Sequence, residues 1–486
     1  MAAMPASGTT PSIEPRRSLR GVRGAALAIL LYSVLAVVPC LWQPHITDGD
    51  LGSHIYNAWL ARGIERGEYP QLYLAPVHTN VLFDRLASWL LGWLPPSTAE
   101  RVAVSTSVLI FFWGAFAAAG AIAGRRPWAV TPLLLILAHG WALQLGLMNF
   151  YLGSGIALVA FAVLWRLSLL RVLLGCSLLV LAGLAQPLPA LWVAAAIAYK
   201  AVFEHATRLR AWMLLAGIAL VALTGVALRV RYPSVWSFSQ WRQLTGADHA
   251  VAYGPEYKLV EVAICAVAAC VLFDRWRAEP LFWLRSLTAH FWILLSAGVM
   301  LLPSGIHFRA YVWPYGFVTQ RLSCLLAVVG IAGLAAARPR RGVVVSFAVI
   351  AAVFFSMLYH DTRRLNRIQK QFDEIVRRYP HGQRFFTVLT DWHGGNHAPY
   401  FNHMLGRACI GRCFDYGSFE VATRQFRVRA RGPNPFVQID FNPNVAEKFR
   451  TTNPGMTLYN IDWCRPASDE LCVKEIALQQ ASAGRP

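Results

Sequence analysis

Residues 25–42 read AALAILLYSVLAVVPCLW, and residues 47–54 read TDGDLGSH. The first run has the length and composition of a membrane helix, which needs roughly 20 mainly apolar residues. The second run places Asp48, Asp50 and His54 where that helix should leave the bilayer. Ionisable groups close to lipid are costly and generally face a cavity or a site. The order of the two runs therefore points to a membrane protein whose chemistry begins in its first loop.

The whole chain agrees. Of 486 residues, 56% are hydrophobic and 14% charged, with mean hydropathy +0.42, whereas a soluble domain carries roughly 25% charged residues. The net charge of +20 would suggest nucleic acid in a soluble protein. Here the basic residues gather in short loops between apolar segments, so no nucleic-acid partner is expected. Eighteen Trp and sixteen Tyr suit the two membrane–water interfaces.

Eleven apolar segments are candidate spans, near 24–42, 102–123, 128–147, 149–165, 170–186, 188–203, 211–228, 258–273, 287–303, 322–337 and 343–359. Basic clusters fall at alternate loops: Arg16, Arg17, Arg20 and Arg23; Arg125 and Arg126; Arg166 and Arg171; Lys200, Arg208 and Arg210; Arg275 and Arg277; Arg338, Arg340 and Arg341. By the positive-inside rule the N-terminus is cytoplasmic and the C-terminus outside. Residues 1–15 are expected to be disordered and 1–23 to form a basic cytoplasmic tail. The first apolar run is too long for a signal-peptide core and no small-residue cleavage site follows it, so it reads as a retained span.

The first outer loop, 43–101, is too long to be structureless. Ile55, Tyr56, Trp59, Leu60 and Ile64 recur at helical spacing, with Asn57, Arg62, Glu65 and Arg66 elsewhere; this predicts an amphipathic helix lying on the outer interface. Residues 81–94 form a short apolar segment that contains Asp84 and Arg85, interfacial or re-entrant. The fifth and sixth segments meet at Gln186-Pro187-Leu188-Pro189, where two prolines could instead mark a kink or broken helices.

Beyond residue 359 the composition changes, and 360–486 reads as a small α/β domain outside the membrane. Leu365, Ile368, Phe372, Ile375, Val376 and Tyr379 make one stripe of a helix, and runs at 384–389, 436–441, 457–462 and 471–476 read as strands. Cys409, Cys413, Cys464 and Cys472 lie in this domain; an even count in an oxidising compartment suggests two disulfides. Of three possible pairings, Cys409–Cys413 with Cys464–Cys472 is the expectation. The remaining five cysteines are packing residues in or beside spans.

Several residues have the chemistry of a site. A helix starting near Asp50 would put Asp50 and His54 on one face, four residues apart. Asp50 could act as a helix cap or as a general base toward an acceptor hydroxyl. His54 could orient that base or contact a phosphate. Asp48-x-Asp50 could instead bind a divalent cation, but two carboxylates alone are weak evidence for one, so a divalent cation is not favoured and no cofactor or metal site is expected. His307, Arg309 and Arg321 flank the ninth and tenth segments. Arg binds phosphate oxygens in bidentate fashion; the alternative is anchorage to lipid headgroups. His139 and Gln186 read as interhelical hydrogen-bond partners. Asp391, His393 and His397, with His403 beyond, have the look of a ligand cluster in a loop, read as contacting substrate rather than metal.

At Asp50-Leu-Gly-Ser-His54, followed by Ile-Tyr-Asn-Ala, the chain resembles bacterial membrane proteins with an Asp-x-x-x-His signature in the first outer loop, which in turn resemble the GT-C superfamily of glycosyltransferases. Gly146-Leu-Met-Asn149-Phe is similar to a Gly-x-x-Asn-Phe motif of the same group. The resemblance covers roughly residues 25–360. It implies a GT-C-like α-helical polytopic fold of about eleven transmembrane helices in a bacterial inner membrane, with a periplasmic or extracellular C-terminal α/β domain. It further implies an enzyme that transfers sugar from a polyprenyl-phosphate-linked donor to an extracytoplasmic glycan, lipid or protein in cell-envelope polysaccharide biosynthesis. In GT-C enzymes the catalytic carboxylate lies in the first outer loop, where Asp50 matches, with Asp48 second; Asn149 would contact substrate. Many GT-C enzymes have a second acidic residue in the next outer loop. Here that loop is only the corner at 147–149, without a carboxylate, so metal-dependent catalysis of the oligosaccharyltransferase kind is not expected. Two other functions remain open: a non-catalytic GT-C-like assembly protein of envelope polysaccharide, and a transporter of lipid-linked glycan. Nearly charge-free spans and the lack of a long repeat weigh against transport.

Overall fold

A computed structural model describes residues 19–387, 389, 400–401, 403–418, 420–440, 444–465 and 469–476. The N-terminal tail expected to be disordered, and Asp391, His393 and His397, lie outside the described residues.

The apolar segments are helical. In chain order the first half contains α1 (Leu19–Leu41), α2 (Leu51–Glu65), α3 (Leu82–Leu90), α4 (Pro96–Ala123), α5 (Thr131–Ala138), α6 (Trp141–Gln144), α7 (Met148–Leu164), α8 (Leu169–Ala185) and α9 (Pro187–His205). Then follow α10 (Arg210–Arg231), α11 (Lys258–Ala278), α12 (Phe282–Arg285), α13 (Leu287–Leu301), α14 (Val318–Ala336) and α15 (Arg341–Arg377). Five of them are long and apolar enough to cross a membrane: residues Arg23–Leu41 of α1, and α4, α10, α14 and α15. Shorter apolar helices cover 128–144, α7, α8 and α13. Rows of large apolar side chains stand exposed on α1, α8, α10 and α11, among them Leu27, Leu170, Leu220 and Leu259. Such a surface suits lipid rather than water. By contrast α7 and α14 are buried on most faces and form the centre of the helical body.

Breaks in the helices follow local chemistry. Gln186 is extended (φ −165°, ψ 124°), which ends α8, and its side-chain oxygen accepts from Leu188 N at 2.7 Å to cap α9. The prolines at 187 and 189 therefore start a helix rather than kink one, as proline in a first turn allows. His139 links α5 to α1 by Nε2···O of Ala36 at 2.8 Å, an interhelical bond of the expected kind.

The C-terminal region adds α16 (Met404–Cys409), α17 (Glu420–Thr423) and α18 (Val445–Thr452). The strands, counted through the chain, are β1 (Leu72–Leu74), β2 (Ser234–Val235), β3 (Gly305–Ile306), β4 (Arg384–Thr387), β5 (Phe414–Asp415), β6 (Val428–Ala430), β7 (Leu458–Trp463) and β8 (Leu471–Ile476). A four-stranded sheet has the order β5-β4-β7-β8, with β4 parallel to both neighbours and β8 antiparallel to β7. Disulfides join Cys409 to Cys413 and Cys464 to Cys472, the expected pairing.

Two local expectations are corrected, those for 436–441 and for the setting of α2, and the expectation that 81–94 does not span is met in length. The run at 436–441 does not form a strand over its described residues; Asn434 Oδ1 accepts from Phe436 N and Val437 N and turns the chain there. The segment 81–94 contributes α3, nine residues and about 14 Å long, against roughly 30 Å for a hydrocarbon core. Helix α2 forms as predicted but does not lie on an interface: it is buried on nearly all faces, Asn57 included. Its second covering layer is the C-terminal region, where the Tyr56 hydroxyl accepts from Asp415 N at 3.0 Å.

The first loop and the C-terminal region are in fact one structure. Strand β1 of the loop pairs antiparallel with β6, Leu72 opposite Ala430. Helix α15 runs unbroken for 37 residues through the expected domain boundary at 359/360. Its buried stripe of Leu365, Ile368, Phe372, Ile375 and Val376 packs under the sheet and α16.

Candidate functional site

The site is assembled where the first loop, the α6–α7 corner and the C-terminal region meet. It starts from a cap. Asp48 Oδ1 accepts from Leu51 N at 2.7 Å, satisfying a free N–H at the start of α2. Asp50 makes no side-chain cap bond. The two readings of Asp50 are thus divided between two residues: Asp48 caps, and the Asp50 carboxylate is left for other work. Burial pushes the Asp48 carboxyl well above the usual carboxylate range, against the pull of Arg407.

One turn into α2, His54 lies on the same face as Asp50. Its Nδ1 is 2.7 Å from Asp84 Oδ1 on α3 and its Nε2 is 3.8 Å from Asp50 Oδ2. The rings of Phe83 and Phe426 pack against the imidazole. Burial disfavours its charge, but Asp84 and then Asp50 outweigh that and raise its pKa to about 9. His54 is therefore a cation at neutral pH: Nδ1–H donates to Asp84, and Nε2–H faces Asp50.

The second sequence patch fits against the first. Asn149 donates from Nδ2 to Asp84 Oδ2 at 2.7 Å and accepts from Phe83 N at 2.8 Å. It thus fixes the carboxylate that fixes His54. Gly146 has φ +83°, and a Cβ there would stand 2.4 Å from Asp50 N. Only glycine gives both the backbone conformation and the approach. Gly49 N donates to Gln144 O at 2.8 Å and completes the seam.

The C-terminal region supplies two further groups. His403 Nε2 lies 3.4 Å from Asp50 Oδ1 and 3.5 Å from Glu420 Oε1. Burial lowers the His403 pKa and, with Asp50 nearby, raises that of Glu420 well above normal. Ser53 donates its hydroxyl to Glu420. The first turn of α2 reaches this region because Gly52 has no side chain: a Cβ would meet the His403 carbonyl oxygen at 2.4 Å. Within the cluster the Asp50 side chain is 32% exposed, while those of His54, His403 and Glu420 are 5–7% exposed. Asp50 is the member an incoming molecule can reach.

Arg321, in the first turn of α14, lies over the rings of Tyr315 (4.4 Å) and Phe150 (5.7 Å), the latter adjacent in sequence to Asn149. Its Nε and Nη1 are buried and make no hydrogen bond among the described residues. Tyr315 also contacts the side-chain amide of Gln186. Arg309 is exposed and His307 is half-buried beside β3, its backbone N donating to Pro233 O at 2.9 Å. Of the residues expected in the site, the structure brings together Asp50, His54 and Asn149, puts Asp48 beneath them as a cap, and sets Arg321 next to Phe150. Asp84, His403 and Glu420 join the cluster without having been assigned to it. Asp84 carried a signal, a carboxylate in a short apolar segment, and His403 another, its histidine-rich neighbourhood; Glu420 carried none.

Comparison with protein-family models, with curated proteins and with solved structures finds no match to this chain.

Proposed function

We propose that the protein is a GT-C-type glycosyltransferase of a bacterial inner membrane, with about eleven spans and the C-terminal region outside, that moves a sugar from a polyprenyl-phosphate donor to an extracytoplasmic acceptor. The observation that carries this reading is the Asp50 carboxylate. It is reachable, freed from capping by Asp48, and braced by His54 one turn along α2, itself held by Asp84 and Asn149 from two other helices.

In this reading Asp50 takes the proton of the acceptor hydroxyl as its oxygen attacks the anomeric carbon. The bond from that carbon to the lipid phosphate oxygen breaks, and the phosphate leaves with the electron pair. His54 does not take a proton, because it already has one; it orients Asp50. Arg321 has two buried nitrogens, Nε and Nη1, with no acceptor among the described residues, an arrangement suited to a phosphate oxygen. It would stabilise the charge that develops on the leaving group.

Two measurements test the reading. Mass spectrometry of lipid co-purified with the detergent-solubilised protein is expected to find a prenyl phosphate or its glycosylated form; its consistent absence would weigh against this class. Arg321→Lys keeps the charge but loses the planar fork, and Arg321→Gln loses both. Donor use should fall about tenfold in the first and further in the second, mainly in apparent affinity. If both use donor like the parent, Arg321 is a structural cation stacked on Tyr315.

A further inference from the structure

The side of Asp50 that faces away from His54 has a feature that sugar transfer by a lone carboxylate does not use. Asp50 Oδ1 and Glu420 Oε1 both point at one nitrogen, His403 Nε2, at 3.4 and 3.5 Å. The three ligand atoms lie within 4.8 Å of one another. An imidazole nitrogen has one proton or one lone pair, so it can satisfy at most one of these carboxylates. Asp84 adds a third carboxylate on the other side of His54, 2.7 Å from Nδ1. Three acidic groups thus share a mostly buried cluster with two histidines, and buried negative charge of this kind needs a cation or a proton.

Ligand atoms around a tetrahedral ion with bonds of about 2.1 Å stand about 3.4 Å apart. The two measured edges match that spacing. One imidazole and two carboxylates form a set that suits zinc or manganese better than magnesium or calcium, which favour all-oxygen shells. One ligand also has an outer partner of the kind metal sites use. Ser53 hydrogen-bonds Glu420, and the Gly52 backbone lies against the His403 carbonyl. The partial exposure of Asp50, 32%, leaves the open side of the triangle facing outward. Three protein ligands with a fourth position free is the pattern of an ion that handles a substrate oxygen.

We propose that Asp50 Oδ1, His403 Nε2 and Glu420 Oε1 bind one divalent ion of the zinc or manganese class. The two oxygens of Asp50 then divide their roles: Oδ1 faces the ion, and Oδ2, 3.8 Å from His54 Nε2, is the oxygen left to take the acceptor proton. The site joins the first loop to the C-terminal region, so the ion also ties residues 370 positions apart in the chain. Metal binding is read without turnover, so this inference stands or falls separately from the proposed transfer.

The test uses full-length protein in detergent, stripped with chelator and titrated with Zn²⁺ and with Mn²⁺ by calorimetry. One equivalent of at least one ion is expected to bind, with a rise in the melting midpoint that saturates at the same stoichiometry. His403→Gln and Glu420→Gln should each weaken binding at least tenfold, while His307→Gln, outside the cluster, should not. Absence of binding to the parent at millimolar ion overturns the proposal, as does unchanged binding in both cluster variants. Should either variant fail to fold, pulsed EPR of the Mn²⁺-loaded parent decides: coupling to one imidazole nitrogen is expected, and its absence overturns the assignment.

Discussion

Asp50→Asn is expected to reduce sugar transfer by about 10²–10⁴-fold, the range over which positioned general bases act. The protein should still reach the membrane at parental levels. Asparagine keeps the size of the side chain, and the start of α2 does not depend on it, since the N–H of Leu51 is capped by Asp48. The amide cannot take a proton from an acceptor hydroxyl, nor balance the charge of His54. The assay is transfer from radiolabelled polyprenyl-phosphate sugars in isolated membranes. Asp48→Asn is the informative contrast: its carboxyl is buried and its Oδ1 caps Leu51 N, so it should alter stability more than the transfer step. Full activity in Asp50→Asn would remove Asp50 as the base and make Asp48 the next candidate.

The second large effect concerns stability. Glu100, near the start of α4, and Arg407, on α16, form an ion pair of 2.9 Å whose side chains are only 4% and 6% exposed. Between them they hold both backbone groups of Ile46: Glu100 Oε1 accepts from its N at 3.2 Å, and Arg407 Nη2 donates to its O at 2.6 Å. Glu100→Ala leaves a buried guanidinium without its counter-charge, which costs about 3–5 kcal/mol. Thermal unfolding of the detergent-purified protein should show the loss. Replacing both residues with methionine should recover much of it, because no unpaired charge then remains. If the single and double variants are equally destabilised, the pair acts through packing and the tether on Ile46 rather than through charge. Either way the strand of chain that leads into Asp48 and Asp50 is held by a residue more than 300 positions away.

That long-range hold explains why some of the site was legible in the sequence and some was not. The apolar helices follow from uninterrupted runs of residues such as 25–42 and 343–359, because helix formation in an apolar run is decided by neighbours a few positions apart. The pairing of Asp50 with His54 on one face is a consequence of four-residue spacing. The disulfides pair cysteines four and eight residues apart, also a local matter. Gly146 and Asn149 stood out as a patch, but what they do there could not be read from their spacing.

Tertiary structure decided the rest. Periodicity marks which face of α2 is most apolar, yet Ser53, His54 and Asn57 are buried as well, since α3 and the C-terminal region pack over them with Phe83 and Phe426, while Glu65 at the helix end stays exposed. Which of two adjacent carboxylates caps the helix depended on backbone angles at a turn packed against Leu145 and Gly146, so the sequence TDGD could not say that Asp48 would cap and Asp50 remain reachable. Asp84, His403 and Glu420 arrive from α3, from the approach to α16 and from α17, separated from Asp50 by 34, 353 and 370 residues. Nothing in the residues beside Glu420 marks it. A sequence by itself determines the contacts made by residues close along the chain; the partners that turn a lone carboxylate into a site are chosen by the packing of distant elements, where burial and charge balance are settled together.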